Sequence, residues 1–353
     1  MRVLVTGHSG YIGTVLVPML IEEGHEVVGL DSDFFQRCTF GDGIVEIPEI
    51  RKDIRDVEAS DLEDFDAILH LAGLSNDPLG DLNPTLTYEI NHLASVRLAK
   101  LAKQVGIERF IFSSSCSYYG ASGDNWLNEE SAFNPVTPYG ICKVRVEQDI
   151  AKLADDSFSP TFLRNATAFG VSPRLRFDLV LNNLVAWAFT TGKVFIKSDG
   201  TPWRPIIHIE DISRAFTAVL HAPNEIVHNQ AFNVCRTEDN YRIRELAEIV
   251  KETVHGCEIE FAKDAGPDKR NYRVDGTKIL RMIPDFKPQW NARKGAQELY
   301  EAYQRIGLKL EDFEGQRYKR IDHIKNLMNT GLLDKTLRWK KEELVNAGVI
   351  NEY

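Results

Sequence analysis

The first 115 residues alternate short apolar runs with longer amphipathic stretches, and that alternation restricts the chain to one class of fold. RVLVT at residues 2–6 is followed by a helical pattern over 11–23. EVVGL then starts at Glu26 and DAILHLAG at Asp66, a second helical pattern runs from about Thr85 to Gln104, and RFIFSSS begins at Arg109. The apolar runs carry no polar alternation, as expected of strands whose sheet is covered by helices on both faces. Strand and helix in regular succession predict an α/β chain with a doubly wound parallel sheet. One local rule is broken. Pro18 falls inside the first helical stretch, where proline costs about 3 kcal/mol relative to alanine, so a kink is expected there.

The turn after the first strand reads TGHSGYIG, with glycines at 7, 10 and 13. Gly7 permits the tight turn, Gly10 lets backbone approach a pyrophosphate, and Gly13 lets the helix pack closely. The helix start beside Tyr11 and Ile12 offers free N–H donors to the anion. Asp31 stands 18 residues beyond Gly13, at the end of the second strand. A carboxylate there accepts hydrogen bonds from an adenosine ribose and repels a 2′-phosphate. The combination predicts a Rossmann sheet that binds NAD rather than NADP. An ordinary glycine turn followed by a surface aspartate is the alternative.

A second constellation begins at PYGICK, residues 138–143. Tyr139 and Lys143 are four residues apart, so on a helix they share a face, and the lysine favours the phenolate of the tyrosine. In isolation the pair would be an ordinary helix surface. Here it follows FSSSCSYYG (residues 112–120), where an apolar strand runs into far more hydroxyl than a turn needs.

TGHSGYIG, HLAG, FSSSCSYYG, PYGICK, NNL and WRPIIHIED together resemble, in order and rough spacing, the extended short-chain dehydrogenases/reductases of the nucleotide-sugar epimerase/dehydratase group. The resemblance spans about residues 1–303. It implies that Ser115 is the hydroxyl bonded to the reacting sugar oxygen and Tyr139 the base supported by Lys143. Ser113 then lies along the cofactor, and Ser114 is structural. Asp53 and Ile54 resemble the pair that contacts adenine, and Leu71, Ala72 and Gly73 the loop along the cofactor. Asn183, Arg204 and Arg270 resemble groups that hold the sugar diphosphate, for which an arginine fork is well suited. His208 in HIED reads as a structural histidine between lobes. The family often has asparagine where this chain has Thr167, with Asn165 nearby.

Sugar 4,6-dehydratases of that group carry an acidic pair after the catalytic hydroxyl, whereas this chain has Cys116 and Ser117. Both are expected to line the substrate pocket, and dehydration is disfavoured. What remains is hydride transfer with or without return, which means a nucleotide-sugar epimerase or, as the alternative, a 4-keto sugar reductase. A non-catalytic NAD-sensing protein would not need Tyr139 and Lys143. The resemblance also implies a homodimer through the helices at Thr85–Gln104 and Tyr139–Ala154, with Leu86, Ile90, Leu93, Leu98 and Leu101 available to the interface.

At 353 residues and 43% hydrophobic content the chain can bury a large core. A Rossmann domain is expected over 1–165 with about 206–235, a substrate lobe over about 166–205 and 236–306, and a helical tail over 307–353. A net charge of −10 without a basic stripe argues against nucleic acid. Five scattered cysteines indicate reduced thiols, and the absence of an apolar span or leader predicts a cytoplasmic protein. The nine histidines show no metal-ligand spacing.

Overall fold

A computed structural model describes residues 1–75, 83–120, 122–266 and 271–340. β1 (Arg2–Thr6) serves two cores at once. Val3 and Val5 pack with Leu69, Ile111 and Phe216 on one side, while Leu4 between them packs with Ile68, Phe110 and Leu98 on the other. Both faces are therefore covered, which is the reason for the unbroken apolar runs. β2 (Glu26–Asp31), β3 (Glu49–Arg51), β4 (Ala67–His70), β5 (Arg109–Ser115), β7 (Ser159–Asn165) and β11 (Gln230–Val234) extend the sheet. All seven strands run parallel, in the order β11–β7–β5–β4–β1–β2–β3. The order reverses between β1 and β4, and such a switch opens a crevice at the carboxyl ends of the strands.

Shorter strands build the rest. β6 (Trp126–Leu127) pairs with β14 (Arg273–Val274); β8 (Thr167–Phe169), β10 (Trp203–His208) and β12 (Asn240–Arg242) form a three-stranded sheet; β9 (Lys193–Ser198) pairs with β13 (Glu258–Gly266). Helices Val180–Thr191, Ile243–Thr253 and Ala292–Ile306 pack around β9 in a second apolar cluster.

The Gly13–Glu22 helix stays continuous through Pro18, although the proline cannot donate to the Thr14 carbonyl. The Thr85–Gln104 expectation holds with a modification: α-helix at Pro84–Thr87 and Ala94–Gln104 is joined by a π-helical stretch at Tyr88–Leu93. Most of its apolar stripe is committed to the sheet. Leu86, Ile90 and Leu98 are buried and Leu101 packs against the same cluster, leaving Leu93 at 57% exposed.

The tail is not an appendage. Phe313 and Tyr318 pack with Phe177 and Tyr303 in the second core, while Ile324, Leu327, Leu333 and Leu337 join the cluster beneath Leu30 and Ile54. Among the described residues all five cysteines are buried and free, and no helix is long and apolar enough to cross a membrane.

Candidate active site

Three close approaches build the floor of the crevice. Gly7 has φ +75°, and a Cβ on it would lie 2.7 Å from the Ala72 amide nitrogen, so the β1 turn presses directly on the loop after β4. A Cβ on Gly13 would sit 2.4 Å from the carbonyls of Gly7 and His8, so only glycine lets the helix start this near the turn. Gly10 is tight as well, 3.0 Å from the Gly7 carbonyl. No side chain caps the helix that begins at Gly13, and no acidic residue lies in its first turn. Its positive dipole end remains available to an anion.

Asp31 ends β2 beside this cradle. Its carboxylate accepts from the amides of Ser9 at 3.2 Å and Asp33 at 2.9 Å. Burial and then the Asp33 charge push its pKa up. Tyr11 points elsewhere: its hydroxyl donates to the Gly170 carbonyl at 2.8 Å and the ring joins the second core, so only its backbone faces the cradle region. The Asp53 carboxylate is clamped by Arg55, at 2.9 Å to Nε and 2.6 Å to an Nη, and caps the short turn that buries Ile54.

Leu71, Ala72 and Gly73 line a cleft of about 630 Å³, together with Ile12, Ser113 and Ser115. The π-helical stretch places Asn91 under this loop. Its side chain accepts from the Leu74 amide at 2.7 Å and donates to the Leu74 carbonyl at 2.9 Å, which is a local reason for the helix to depart from α geometry.

Ser115 is the last residue of β5 and caps the short turn Cys116–Tyr119. Its Oγ accepts from the Ser117 amide at 3.1 Å and lies 2.9 Å from the Ser117 hydroxyl. Helix Pro138–Ala151, capped by Thr137, presents Tyr139 and Lys143 to the same cleft. Lys143 Nζ lies 5.7 Å from the Tyr139 ring centre and donates to the Ser113 carbonyl at 2.5 Å. Burial lowers the lysine pKa to about 8. The serine, tyrosine and lysine thus face one space although they come from two elements. Ser117, Asn183 and Arg204 line that space as well.

Cys116 does not. It is fully buried, its thiol donates to the Arg164 carbonyl at 3.0 Å, and burial drives its pKa well up. The turn after Ser115 rotates it into the core, so the expectation that it lines the pocket is corrected. Arg270 lies outside the described residues. His208 is buried, where its Nδ1 accepts from the Glu210 amide, its Nε2 meets Glu298 at 2.9 Å, and its ring stacks on Trp290 at 3.9 Å.

Several lining residues were not foreseen. Arg176 donates a bidentate pair of hydrogen bonds to the Asp178 carboxylate, at 3.0 and 2.7 Å, and also donates to the Ser75 hydroxyl at 3.3 Å. Asn165 donates to the Ser113 hydroxyl at 3.1 Å, and its Oδ1 is buried with no partner among the described residues. Only the departure at Thr167 hinted at Asn165, and both residues line the cleft. Elsewhere, Glu23, His25 and His221 bring three metal-ligand-type atoms within 4.8 Å of one another, a gathering that sequence spacing does not reveal.

The glycine cradle, the uncapped helix start and the carboxylate at the end of β2 fit a dinucleotide. A sequence model of the NAD dependent epimerase/dehydratase family matches residues 3–235. The chain belongs to the NAD-dependent epimerase/dehydratase family. As a member it is an NAD-dependent enzyme. Within that family it is similar to UDP-glucose 4-epimerase of Bacillus subtilis, at 26% identity over 85% of this chain and 94% of the relative. It is also similar to UDP-glucuronic acid decarboxylase 1 of Arabidopsis thaliana, at 27% identity over 84% of this chain and 68% of that one. Among solved structures, MoeE5 in complex with UDP-glucuronic acid and NAD superposes with a TM-score of 0.75 at 26% identity, over 86% of this chain and 99% of that chain.

Proposed function

We propose that this enzyme epimerises a nucleotide sugar, at C4, through a transient 4-keto sugar. The observation that carries this reading is the convergence of Ser115, Tyr139 and Lys143 on one cleft that Asn183 and Arg204 also line. Similarity to UDP-glucose 4-epimerase and to MoeE5, whose structure holds UDP-glucuronic acid and NAD, supports a nucleotide-sugar substrate. The cofactor, when bound, supplies the hydride acceptor and donor that links the sugar alcohol and its ketone.

The chain's own groups handle the proton. The Tyr139 phenolate oxygen takes the proton of the sugar hydroxyl and returns it after the face of the ketone has been exchanged. Lys143, as an ammonium, favours that phenolate. Ser115 orients the sugar oxygen, and the Ser117 hydroxyl at 2.9 Å holds the Ser115 Oγ in turn. Arg204, 6% exposed, supplies a desolvated cation for the sugar diphosphate, with the Asn183 amide beside it in the same cleft. No carboxylate follows Ser115, and Cys116 is turned into the core with a raised pKa, so water elimination lacks an acid there. In this reading the substrate lobe is carried by about 166–205 and 236–306, and the protein pairs with a second copy through its exposed helix faces.

The test is incubation with a panel of nucleotide hexoses and 4-keto-6-deoxy hexoses, with sugar identity followed by NMR and NADH by absorbance. Epimer formation from a saturated nucleotide hexose without added NADH is expected. NADH consumption that requires a keto sugar, with no epimer from any saturated one, overturns the epimerase in favour of a reductase.

A further inference from the structure

Two arginines outside the catalytic cluster are buried without a counter-ion. Arg174 and Arg320 are 4% and 6% exposed, and the Nε–H of each has no hydrogen-bond partner among the described residues. The polar partners of their other nitrogens are a hydroxyl and a carbonyl, and neither arginine forms an ion pair with a carboxylate among the described residues. Arg174 meets the Thr39 hydroxyl, and Arg320 donates to the Arg174 carbonyl at 3.0 Å. Burial lowers the pKa of both, that of Arg320 to about 10. A buried cation with unused donors is costly unless an anion joins it.

Their position indicates which anion. Arg174 follows Ser172, whose hydroxyl donates to the Tyr11 carbonyl at 2.9 Å and meets the Thr14 hydroxyl at 3.0 Å, at the start of the Gly13–Glu22 helix. The charges of Arg176, Asp178 and Asp31 all act on Arg320. Its guanidinium is braced 4.2 Å from the Phe35 ring centre. The surrounding tail grips the loop that follows Asp31: His323 meets the Phe34 carbonyl at 3.0 Å, and the Trp339 indole donates to the Ser32 carbonyl at 2.6 Å. The two guanidinium groups are thus carried by segments that meet the loop after Asp31 and the start of a helix whose N-terminus favours anions.

We propose that Arg320, together with Arg174, holds the diphosphate of the dinucleotide, so that the C-terminal tail is part of the cofactor site. The tail lies beyond the residues matched by the family. The inference rests on the reading of the glycine cradle and Asp31 as the NAD site. It also accounts for two buried charges that would otherwise only destabilise the fold.

Arg320→Met keeps the bulk of the side chain and removes the charge. The measurements are calorimetric titration of the full chain with NAD, ADP and adenosine, and thermal melting of the ligand-free protein. NAD and ADP are expected to bind about 10- to 100-fold more weakly to the variant, adenosine equally well, and the ligand-free melting temperature to be equal or higher. A structural role for the cation predicts the opposite pattern, with lower ligand-free stability and equal losses for adenosine and ADP, and that result overturns the proposal. So does wild-type affinity of the variant for ADP. If the wild-type protein binds neither NAD nor ADP, the cofactor-site reading itself fails; wild-type binding that Arg320→Met leaves intact refutes only the role of the tail.

Discussion

The Nζ of Lys143 donates to the carbonyl of Ser113 at 2.5 Å and lies 4.4 Å from the Phe112 ring centre. That contact ties the strand ending in Ser115 to the helix carrying Tyr139, so the proton-handling groups are positioned by one buried cation. The same burial makes the cation easy to lose.

Activity is therefore expected to fall with rising pH around the lysine pKa of about 8. The sign follows from the charge: below that value the ammonium favours the Tyr139 phenolate, and above it the neutral amine no longer does. In Lys143→Met the residual kcat/KM is expected to be low and to show no fall there. A wild-type profile flat from neutrality to pH 10 contradicts this role of the lysine.

Tyr139→Phe removes the phenol and little else, because the ring stays on the wall of the cleft. Turnover is expected to drop about 10²- to 10⁴-fold, the usual range for a positioned acid–base group. NAD should stay bound, which a fluorescence or calorimetric titration checks. Substantial turnover in this variant removes Tyr139 from its role.

Asp31 predicts cofactor choice. A half-buried carboxylate at the end of β2 repels a 2′-phosphate, so the wild-type protein should bind NAD more tightly than NADP, and Asp31→Ser should lose the discrimination by about tenfold or more. Competitive titration of the two dinucleotides measures both. Equal affinities in the wild type refute the assignment.

These features were legible in the sequence because they are local. The βαβ succession, the glycine turn and the Tyr139–Lys143 spacing each depend on a few adjacent residues. Cys116 misled because the chain turns at Ser115, and a turn changes which side chains face the crevice. The apolar stripe of the Thr85–Gln104 helix was legible as a stripe, but not its partner: Leu86, Ile90 and Leu98 cover the sheet. Arg320 meets Arg174 only because the tail folds back over the loop after Asp31, a long-range packing that no local pattern encodes.

A buried ion pair supports the floor of the site. Arg164 meets Glu147 at 2.7 Å, with both side chains about 5–6% exposed, and the same carboxylate accepts from the Tyr118 hydroxyl at 2.7 Å and from Ser114. Arg164→Ala leaves that carboxylate uncompensated and should cost about 3–5 kcal/mol, whereas Arg164→Met with Glu147→Leu should recover most of the loss. Urea unfolding of the two variants decides it. A single variant as stable as wild type means that the pair is not the support it resembles.

The last expectation concerns assembly. Of the five apolar residues on the Thr85–Gln104 stripe, Leu93 is the one left strongly exposed, and around it the helix shows Glu89, Arg97 and Lys100 to solvent. The neighbouring helix is bound to it within the chain by His92–Asp149 at 2.8 Å and by Arg145 over the Tyr88 ring at 5.0 Å, and it shows Arg145 and Gln148 to solvent. Two such faces related by a twofold axis would bury Leu93 near the axis within a largely polar interface, in which Glu89 is the acidic group available to Arg97, Lys100 or Arg145 and salt weakens the pairing. Light scattering should give twice the 40.0 kDa chain mass in low salt, and Leu93→Asp should halve it without lowering the melting temperature of the chain by more than a few degrees. A wild-type mass of one chain at every salt concentration rules out the dimer, and a dimer that survives Leu93→Asp places the interface on another face.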